Sequence, residues 1–115
     1  METKERGVSS YKRTDDVFPF RQWREGLAKI TALAISARVT SFAVGNFGDS
    51  KLLGEGVWES RVHLGPGYRI YYGIDVNLVI LLCGGDKSTQ NADIKKAKQY
   101  WKDYKKRRKN EKPNG

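Results

Sequence analysis

Apolar and polar residues alternate along residues 57–87, which predicts three consecutive strands. Neighbouring residues of a strand point to opposite faces, so this alternation separates one face from the other. The two reversals fall at residues 65–67 (GPG) and 75–77 (DVN), residue types that supply the backbone angles of tight turns. The stretch therefore predicts a small antiparallel meander.

The positions of the turns predict which residues meet across the meander. A loop at residues 65–67 places three pairs opposite each other: Leu64 and Tyr68, His63 and Arg69, Arg61 and Tyr71. One face is then a core made of Trp58, Ser60, Val62, Leu64, Tyr68, Ile70, Tyr72 and Ile74. The other face collects polar groups, namely Glu59, Arg61, His63, Arg69 and Tyr71. Because unpaired polar groups are costly to bury, this second face is either a solvated surface or a site.

Two apolar stripes at helical spacing precede the meander: Phe20, Trp23, Leu27 and Ile30, then Ala32, Ile35, Val39 and Phe42. Asp15 or Asp16 can cap the first helix, and Pro19 suits its first turn. A break near Thr31 separates the stripes, and residues 45–48 (GNFG) end the second. We expect an αα-hairpin packed on the sheet. Residues 8–14 predict a short edge strand, and residues 49–56 a connecting loop.

A last helix is predicted by a third stripe: Ile94, Ala97, Trp101 and Tyr104. Ser88 or Thr89 can cap it, and the apolar period stops after Lys105. The predicted organisation is a disordered N-terminus at 1–7, one domain at 8–106 and a disordered basic tail at 107–115. The predicted fold class is α+β. It consists of an N-terminal αα-hairpin on a small antiparallel sheet, formed by the meander and the short N-terminal edge strand, with a C-terminal helix.

Length and cysteine content narrow the class of protein. A chain of 115 residues is long enough to bury a hydrophobic core without disulfide bonds or structural metal ions. Its one cysteine, Cys83, ends an apolar run, so we expect a buried free thiol and a reducing compartment. The first ten residues lack the apolar core of a secretory signal. The longest aliphatic run, 78–83, is far shorter than the about 20 residues of a membrane span. We expect a soluble cytoplasmic protein.

Positive charge is concentrated near the C-terminus. The net charge is +9, and residues 95–112 hold ten Lys or Arg against two acidic residues. Such a segment favours polyanions such as nucleic acid, although a solvated helix end has the same composition. Candidate RNA contacts are Lys51, Lys95, Lys98 and Lys102. Lys51 lies close enough to the first meander strand to reach its polar face, or it is a plain solvated lysine.

Several kinds of site are excluded by spacing. Residues 84–89 (GGDKST) join a strand to a helix, but Asp86 stands where a phosphate-binding loop requires glycine. His63 is the single histidine, and no residues around it or Cys83 have metal-ligand spacing. No nucleophile elbow accompanies that histidine. We therefore expect neither a metal nor a cofactor.

The residues that remain form a basic group on the meander: Arg61, His63, Arg69, Tyr71 and Lys87, with Glu59 beside them. RNA can be cleaved without a metal when a base takes the 2′-hydroxyl proton, cations stabilise the phosphorane and an acid protonates the leaving oxygen. These side chains cover those roles. A sheet surface with charges paired across strands is the alternative interpretation.

The chain resembles a known family in three stretches. They are ARVTSFAVGNFGDSK (37–51), GVWESRVHLGPGYRIYY (56–72) and LLCGGDKSTQNADIKKAKQYW (81–101). These resemble the RelE/HigB-type toxins of bacterial type II toxin-antitoxin modules, in the phage-derived addiction-module killer branch of the RelE/ParE superfamily. The resemblance covers roughly residues 14–104. The most specific pieces are the E-x-R strand, the GPGYRIYY turn and strand, and the GGDKSTQ-x-x-DI-x-x-A junction.

The resemblance implies an αα-hairpin on a small antiparallel sheet and ribosome-dependent cleavage of messenger RNA. It also implies a helix-turn-helix antitoxin encoded in the adjacent reading frame. By position, Arg69 matches the arginine that stabilises the scissile phosphate. Arg61 matches a basic residue of the preceding strand, and Lys87 matches the basic residue after the last strand. The sequence departs from the family where a catalytic aromatic follows the last strand, because no aromatic residue lies between Gly85 and Tyr100. Tyr71, Tyr100 or His63 remain candidates for the acid and base, and Glu59 is either a base or the ion-pair partner of Arg61.

Two further functions remain open. One is a ParE-like toxin that binds a protein, gyrase, through its apolar edge and C-terminal helix and leaves RNA intact. The other is a non-toxic, phage-derived nucleic-acid-binding module that relies on the basic segment 95–112.

Overall fold

The computed structural model of the chain describes residues 6–111. They form five strands and three α-helices, with a 3₁₀ turn before the last helix. In chain order the elements are β1 (Gly7–Ser10), α1 (Pro19–Glu25), α2 (Lys29–Phe42), β2 (Asp49–Gly54), β3 (Val57–Val62), β4 (Tyr68–Asp75), β5 (Leu78–Asp86), the 3₁₀ turn (Lys87–Thr89) and α3 (Gln90–Glu111).

The sheet differs from the predicted small antiparallel sheet. It is a five-stranded mixed sheet in the order β1-β5-β4-β3-β2, in which β1 runs parallel to β5 and the other pairs are antiparallel. The predicted antiparallel fold class is therefore wrong. The predicted edge strand at 8–14 is shorter, at Gly7–Ser10, and lies beside the strand most distant from it in the chain.

The predicted loop at 49–56 is also wrong, because most of it forms β2. Its sequence, DSKLLG, alternates poorly, and pairing with β3 makes it an outer strand of the sheet. Gly54, Glu55 and Gly56 all have positive φ angles, which close a tight reversal into β3. A segment with little strand pattern of its own thus becomes a strand through its neighbour.

The register between β3 and β4 is shifted by two residues from the predicted one. Arg61 lies opposite Arg69, and Glu59 lies opposite Tyr71. The loop spans residues 63–67 instead of 65–67, and it is closed by hydrogen bonds from the Leu64 amide to the Val62 carbonyl and from the Gly67 amide to the Leu64 carbonyl. Because the shift is an even number of residues, the side chains within the strands stay on their predicted faces. Leu64, predicted to lie in the core, is in the loop and is 40% exposed.

Both faces of the sheet carry helices, so the domain has three layers. On one face α1 and α2 bury an apolar cluster with the sheet: Phe20, Ile35, Phe42, Val62, Ile70, Tyr72, Val79 and Leu81. The helix pair breaks at residues 26–28 and not near Thr31. Phe18 precedes the first helical residue, Pro19, in place of the predicted Asp15 or Asp16 cap. Ile30, predicted to lie on the first stripe, is 77% exposed.

On the other face α3 packs on the sheet through Ala97 and Trp101. This second cluster contains Val57, Tyr71, Ile80, Leu82 and Cys83, so the predicted burial of the single cysteine is confirmed. Burial raises the pKa of the Cys83 thiol. The face predicted to be solvated surface or site is therefore covered by α3 over much of its area.

Helix α3 extends past the end that the sequence predicted for the domain. It continues to Glu111, beyond the predicted end at Lys106. Residues 1–5 of the predicted disordered N-terminus and 112–115 of the predicted tail lie outside the described residues. Within residues 6–111, no helix is both long and apolar enough to cross a membrane.

Candidate functional site

A buried carboxylate lies at the centre of the polar group predicted on the meander. Glu59 of β3 is fully buried, and both of its carboxylate oxygens have cationic or polar partners. Arg61 Nε donates to Oε1 at 3.0 Å, and Gln90 Nε2 donates to Oε2 at 3.1 Å. Arg69 Nε lies 3.6 Å from Oε2. A buried charge is tolerated when it is paired in this way.

Strand geometry explains why these residues meet. Glu59 and Arg61 are two residues apart and so share a face of β3, while the register places Arg69 of β4 directly opposite Arg61. Two like charges opposite each other repel, and Glu59 offsets that repulsion. The three residues, which we call the arginine cluster, carry one net positive charge. That charge suits an anion such as a phosphate.

The two arginines differ in exposure. The side chain of Arg61 is 35% exposed, whereas that of Arg69 is 10% exposed. Arg69 Nε is buried and has no hydrogen-bond partner among the described residues. Arg69 thus forms the floor of the arginine cluster and Arg61 its rim.

Tyr71 lies beside the cluster, opposite Glu59 in the β3–β4 register, and does not reach solvent. It is fully buried, and its hydroxyl has no hydrogen-bond partner within residues 6–111. Burial, followed by the charge of Glu59, raises the pKa of this hydroxyl. This neutral, enclosed phenol packs beside the cluster and is not placed to contact a substrate.

His63 extends the same row of side chains toward solvent. It lies just beyond β3, and its Nε2 is 2.7 Å from Asp49 Oδ2. Asp49 lies opposite Arg61 in the β2–β3 register, so the pair borders the arginine cluster. The hydrogen bond with His63 holds the pKa of Asp49 below its usual value. An exposed imidazole oriented by a carboxylate is a common arrangement for proton transfer.

The predicted lysines lie on the surface at different distances from the cluster. Lys51 of β2 is exposed and lies opposite Glu59, hence on the same face. Lys87 is exposed in the 3₁₀ turn after β5. On α3, Lys95 and Lys102 are exposed, and Lys98 Nζ is 3.7 Å from Glu55 Oε2. The structure thus brings Glu59, Arg61, Arg69 and Tyr71 into contact or close proximity, whereas of the five lysines only Lys51 lies directly opposite a member of the cluster.

Gln90, Asp49 and Arg38 are the site residues that sequence reasoning missed. Gln90 opens α3 and reaches Glu59 across the sheet, a contact with no signature in the local sequence. Arg38 of α2 donates from Nη1 to Ser60 Oγ and to the Arg61 carbonyl, both at 2.8 Å, and so holds β3 from the opposite face. Asp49 fell in a segment predicted to be a loop. Their roles depend on tertiary contacts.

The start of α3 is organised by an unpredicted cap. Asp86, at the end of β5, accepts a hydrogen bond from the Ser88 amide at 2.8 Å. Thr89 completes a capping box with the Asp86 backbone, so neither Ser88 nor Thr89 is the capping residue. Hydrogen bonds from Ser88 lower the pKa of Asp86. This cap fixes where α3 begins and therefore where Gln90 points.

Within residues 6–111, no group of three or more His, Cys, Asp or Glu side chains is arranged to hold a metal ion.

Fold and site together define a class: a three-layer α+β domain with a cationic cluster on the face that α3 partly covers. No family model matches the chain. It is 49% identical over 84 residues to a Haemophilus influenzae protein described as uncharacterized, an alignment that covers 69% of this chain and 82% of that protein. The chain belongs to the same family as this H. influenzae protein.

Proposed function

We propose that this chain is the toxin of a type II toxin-antitoxin module, a RelE/HigB-type endoribonuclease that cleaves messenger RNA on the ribosome and inhibits growth. The observation that carries the proposal is the arginine cluster, in which a buried carboxylate holds two opposed arginines with one net positive charge. The resemblance of residues 37–51, 56–72 and 81–101 to that family supports it further.

The proposed reaction is metal-independent. A base removes the proton of a ribose 2′-hydroxyl, whose oxygen attacks the adjacent phosphorus, and the bond to the 5′ oxygen breaks as that oxygen is protonated. Arg69 and Arg61 stabilise the charge on the phosphorane. The products are a 2′,3′-cyclic phosphate and a new 5′-hydroxyl.

Geometry narrows the choice of acid and base. Both oxygens of Glu59 are engaged, so we assign it to positioning the arginines. Tyr71 is enclosed, whereas His63 is exposed and oriented by Asp49. We therefore propose that His63 transfers a proton at the cluster. Lys51, Lys87, Lys95, Lys98 and Lys102 guide the RNA by charge.

The proposal includes partners and a compartment. They are messenger RNA on the ribosome, a helix-turn-helix antitoxin encoded in the adjacent reading frame, and the cytoplasm. Co-expression with the adjacent frame should restore growth, and the two proteins should copurify.

Substitution of Arg69 tests the function. Expression of the wild-type chain should arrest growth and produce new 5′ ends in transcripts only when ribosomes are present. Arg69→Ala and Arg61→Ala should each lower cleavage by about 100-fold or more, because each removes a charge that stabilises the transition state. Arg21→Ala, at an exposed position of α1, is the matched control and should remain toxic.

Circular dichroism of each purified variant separates lost chemistry from lost folding. A folded Arg69→Ala chain with wild-type cleavage would remove Arg69 from the mechanism. Intact transcripts with induction of the DNA-damage response would point to the gyrase-binding function. Binding of RNA with neither arrest nor cleavage would point to the non-toxic module.

A further inference from the structure

A cavity of about 460 Å³ opens at the edge of the sheet, between α1, the end of β5 and α3. It lies beside the arginine cluster and shares none of its residues. Its volume falls in the range of about 300–1,000 Å³ that is usual for sites of small organic ligands.

The floor of the cavity is strand β5 where β1 no longer covers it. Strand β1 pairs with β5 only from Leu78 to Leu81, and no other described strand lies along that edge of residues 83–86. Two glycines allow side chains to approach the strand here. A Cβ atom at Gly84 would overlap the Trp23 ring, and one at Gly85 would overlap the Asp93 carboxylate. Glycine at both positions therefore gives the cavity its shape.

The walls of the cavity combine aromatic rings with balanced charges. Trp23 of α1 and Tyr100 of α3 supply the rings. Asp93 is 9% exposed, and its Oδ2 accepts a hydrogen bond from Thr89 Oγ1 at 2.5 Å. The charges of Asp86 and Asp93 balance those of Arg13 and Lys96, so the lining as a whole is close to neutral. This character suits a planar, uncharged heterocycle and contrasts with the cationic arginine cluster.

We propose that this cavity binds a guanine base of single-stranded RNA. Unstacked RNA bases bind proteins by stacking on aromatic side chains and by hydrogen bonds along their Watson–Crick edges. A carboxylate only accepts hydrogen bonds, and guanine presents two adjacent donors, N1–H and the N2 amino group. Adenine and cytosine each present one amino donor next to a ring nitrogen that is an acceptor, and that acceptor repels a carboxylate. Thr89 already occupies one site on Oδ2, and the acceptor capacity that remains on the Asp93 carboxylate favours guanine over adenine and cytosine.

The cavity lies where a nucleotide next to the cleaved phosphate would pass. Gly85, on its floor, is directly opposite Arg69 in the β4–β5 register. The first turns of α3 separate the two sites, since Gln90 contacts Glu59 while Asp93 lines the cavity. That this base helps to select the position of cleavage in the RNA rests on the proposed function. Binding of the base to the cavity does not rest on it.

Nucleotide titration of the full chain tests the proposal without any cleavage. Guanosine, adenosine and uridine 5′-monophosphates are added to isotope-labelled protein while amide and indole NMR signals are followed. Guanosine monophosphate should shift the signals of Gly84, Gly85 and the Trp23 indole, and should bind about tenfold more tightly than the others, as one lost hydrogen bond to a charged group predicts. No shift at these residues, or equal affinity for all three nucleotides, would overturn the proposal.

Two variants identify the selecting group. Asp93→Asn keeps the volume and replaces one acceptor oxygen with a donor, so the preference for guanine should disappear. Asp16→Asn, at an exposed loop position, is the matched control and should keep it. Trp23→Leu, which removes a stacking surface, should weaken binding of every base. Unchanged selectivity in a folded Asp93→Asn chain would contradict the assignment.

Arg69→Ala separates this inference from the proposed function. That variant should lose cleavage and still bind guanosine monophosphate in the cavity. If the wild-type chain cleaves RNA but does not bind the nucleotide, the proposed function stands and the cavity proposal is overturned.

Discussion

At the scale of single residues, Glu59 determines the character of the site. Its carboxylate is fully buried and pairs with Arg61 while lying 3.6 Å from Arg69 Nε. Without it, two guanidinium groups would face each other across neighbouring strands. Glu59 thus allows two opposed arginines to lie close together on a largely buried face.

Replacement of Glu59 tests that role. Glu59→Gln should lower the free energy of unfolding by about 3 kcal/mol, because one partner of a buried ion pair is lost and the arginines are left uncompensated. Urea unfolding measures the change. Glu25→Gln, exposed on α1, should stay within about 0.5 kcal/mol of the wild type. A Glu59→Gln, Arg61→Gln double variant should be less destabilised than the sum of its single variants, and strict additivity would contradict the coupling.

Tyr11 connects the N-terminal segment to α3 through a titratable hydrogen bond. Its hydroxyl donates to Asp103 Oδ2 at 2.6 Å. Burial and then that hydrogen bond raise the pKa of Tyr11 to about 12. A phenol whose pKa is raised in the folded state stabilises the protein fully below the unfolded pKa of about 10. This contribution is lost as pH rises from about 10 to about 12.

Tyr11→Phe should therefore reduce the alkaline loss of stability. The free energy of unfolding of the wild type should fall more between pH 8 and pH 11 than that of Tyr11→Phe. At pH 8 the variant should be less stable by about 1 kcal/mol, the usual value of one hydrogen bond. Tyr68→Phe, which removes the hydroxyl of a partly buried tyrosine beside Trp23, far from Asp103, should keep the wild-type slope. Equal slopes in all three proteins would exclude the role given to Tyr11.

At the scale of elements, α3 controls the candidate site because its first turn supplies Gln90. The helix is held on the sheet by Trp101, which packs directly over Gly73 of β4. Tyr104 donates to Asp75 Oδ2 at 2.8 Å, and Arg108 donates to the same oxygen at 3.2 Å. These contacts keep the basic helix against the site.

Gly73→Ala tests the packing of α3 on the sheet at the contact between Trp101 and Gly73. The new Cβ atom would lie 2.5 Å from the Trp101 ring, so the helix must shift and stability should fall by about 1–3 kcal/mol. Gly26→Ala is a matched control, since its Cβ atom would meet no atom closer than 3.5 Å and its φ angle is −81°. That control should be neutral or stabilised by about 0.4–1 kcal/mol. Equal stability of both variants would show that Trp101 does not need the glycine.

At the scale of the whole molecule, charge is distributed unevenly. The net charge of +9 is concentrated on α3 and its end, and the first turn of this helix contacts the arginine cluster through Gln90. Contacts between lysines and phosphates release counterions, so the affinity for RNA should fall as salt concentration rises. This distribution predicts that RNA follows the α3 side of the molecule.

The salt dependence of RNA binding measures those contacts. Lys95→Gln with Lys102→Gln should reduce the slope of log affinity against log salt by about 1.4, which is about 0.7 for each phosphate contact with a single strand. Lys12→Gln with Lys29→Gln, which removes the same charge outside α3, should leave the slope closer to that of the wild type. A fluorescent oligoribonucleotide titrated from 50 to 200 mM salt provides the measurement. Equal slopes for the two double variants would show that the lysines of α3 contribute no more to RNA binding than lysines elsewhere on the protein.

Local periodicity was sufficient to predict several features of this chain. Alternation along residues 57–87 identified three strands and placed Glu59, Arg61, Arg69 and Tyr71 on one face. The predicted register between β3 and β4 was wrong by two residues, but a shift of two residues leaves each strand residue on the same face of the sheet. The third apolar stripe likewise identified the packed face of α3. These features depend on the regular repeat of strands and helices, which the order of residues carries directly.

Tertiary structure alone decided the architecture and the state of the site. Strand β2 exists because β3 pairs with it, and β1 joins the sheet beside a strand about 70 residues away in the chain. Glu59 is buried because α3 docks on its face and brings Gln90 to its carboxylate. Contacts between distant segments have no local signature, since they depend on which surfaces remain to be covered. The sequence thus determined which side chains share a face, and only packing decided which of them is buried, paired or open to a ligand.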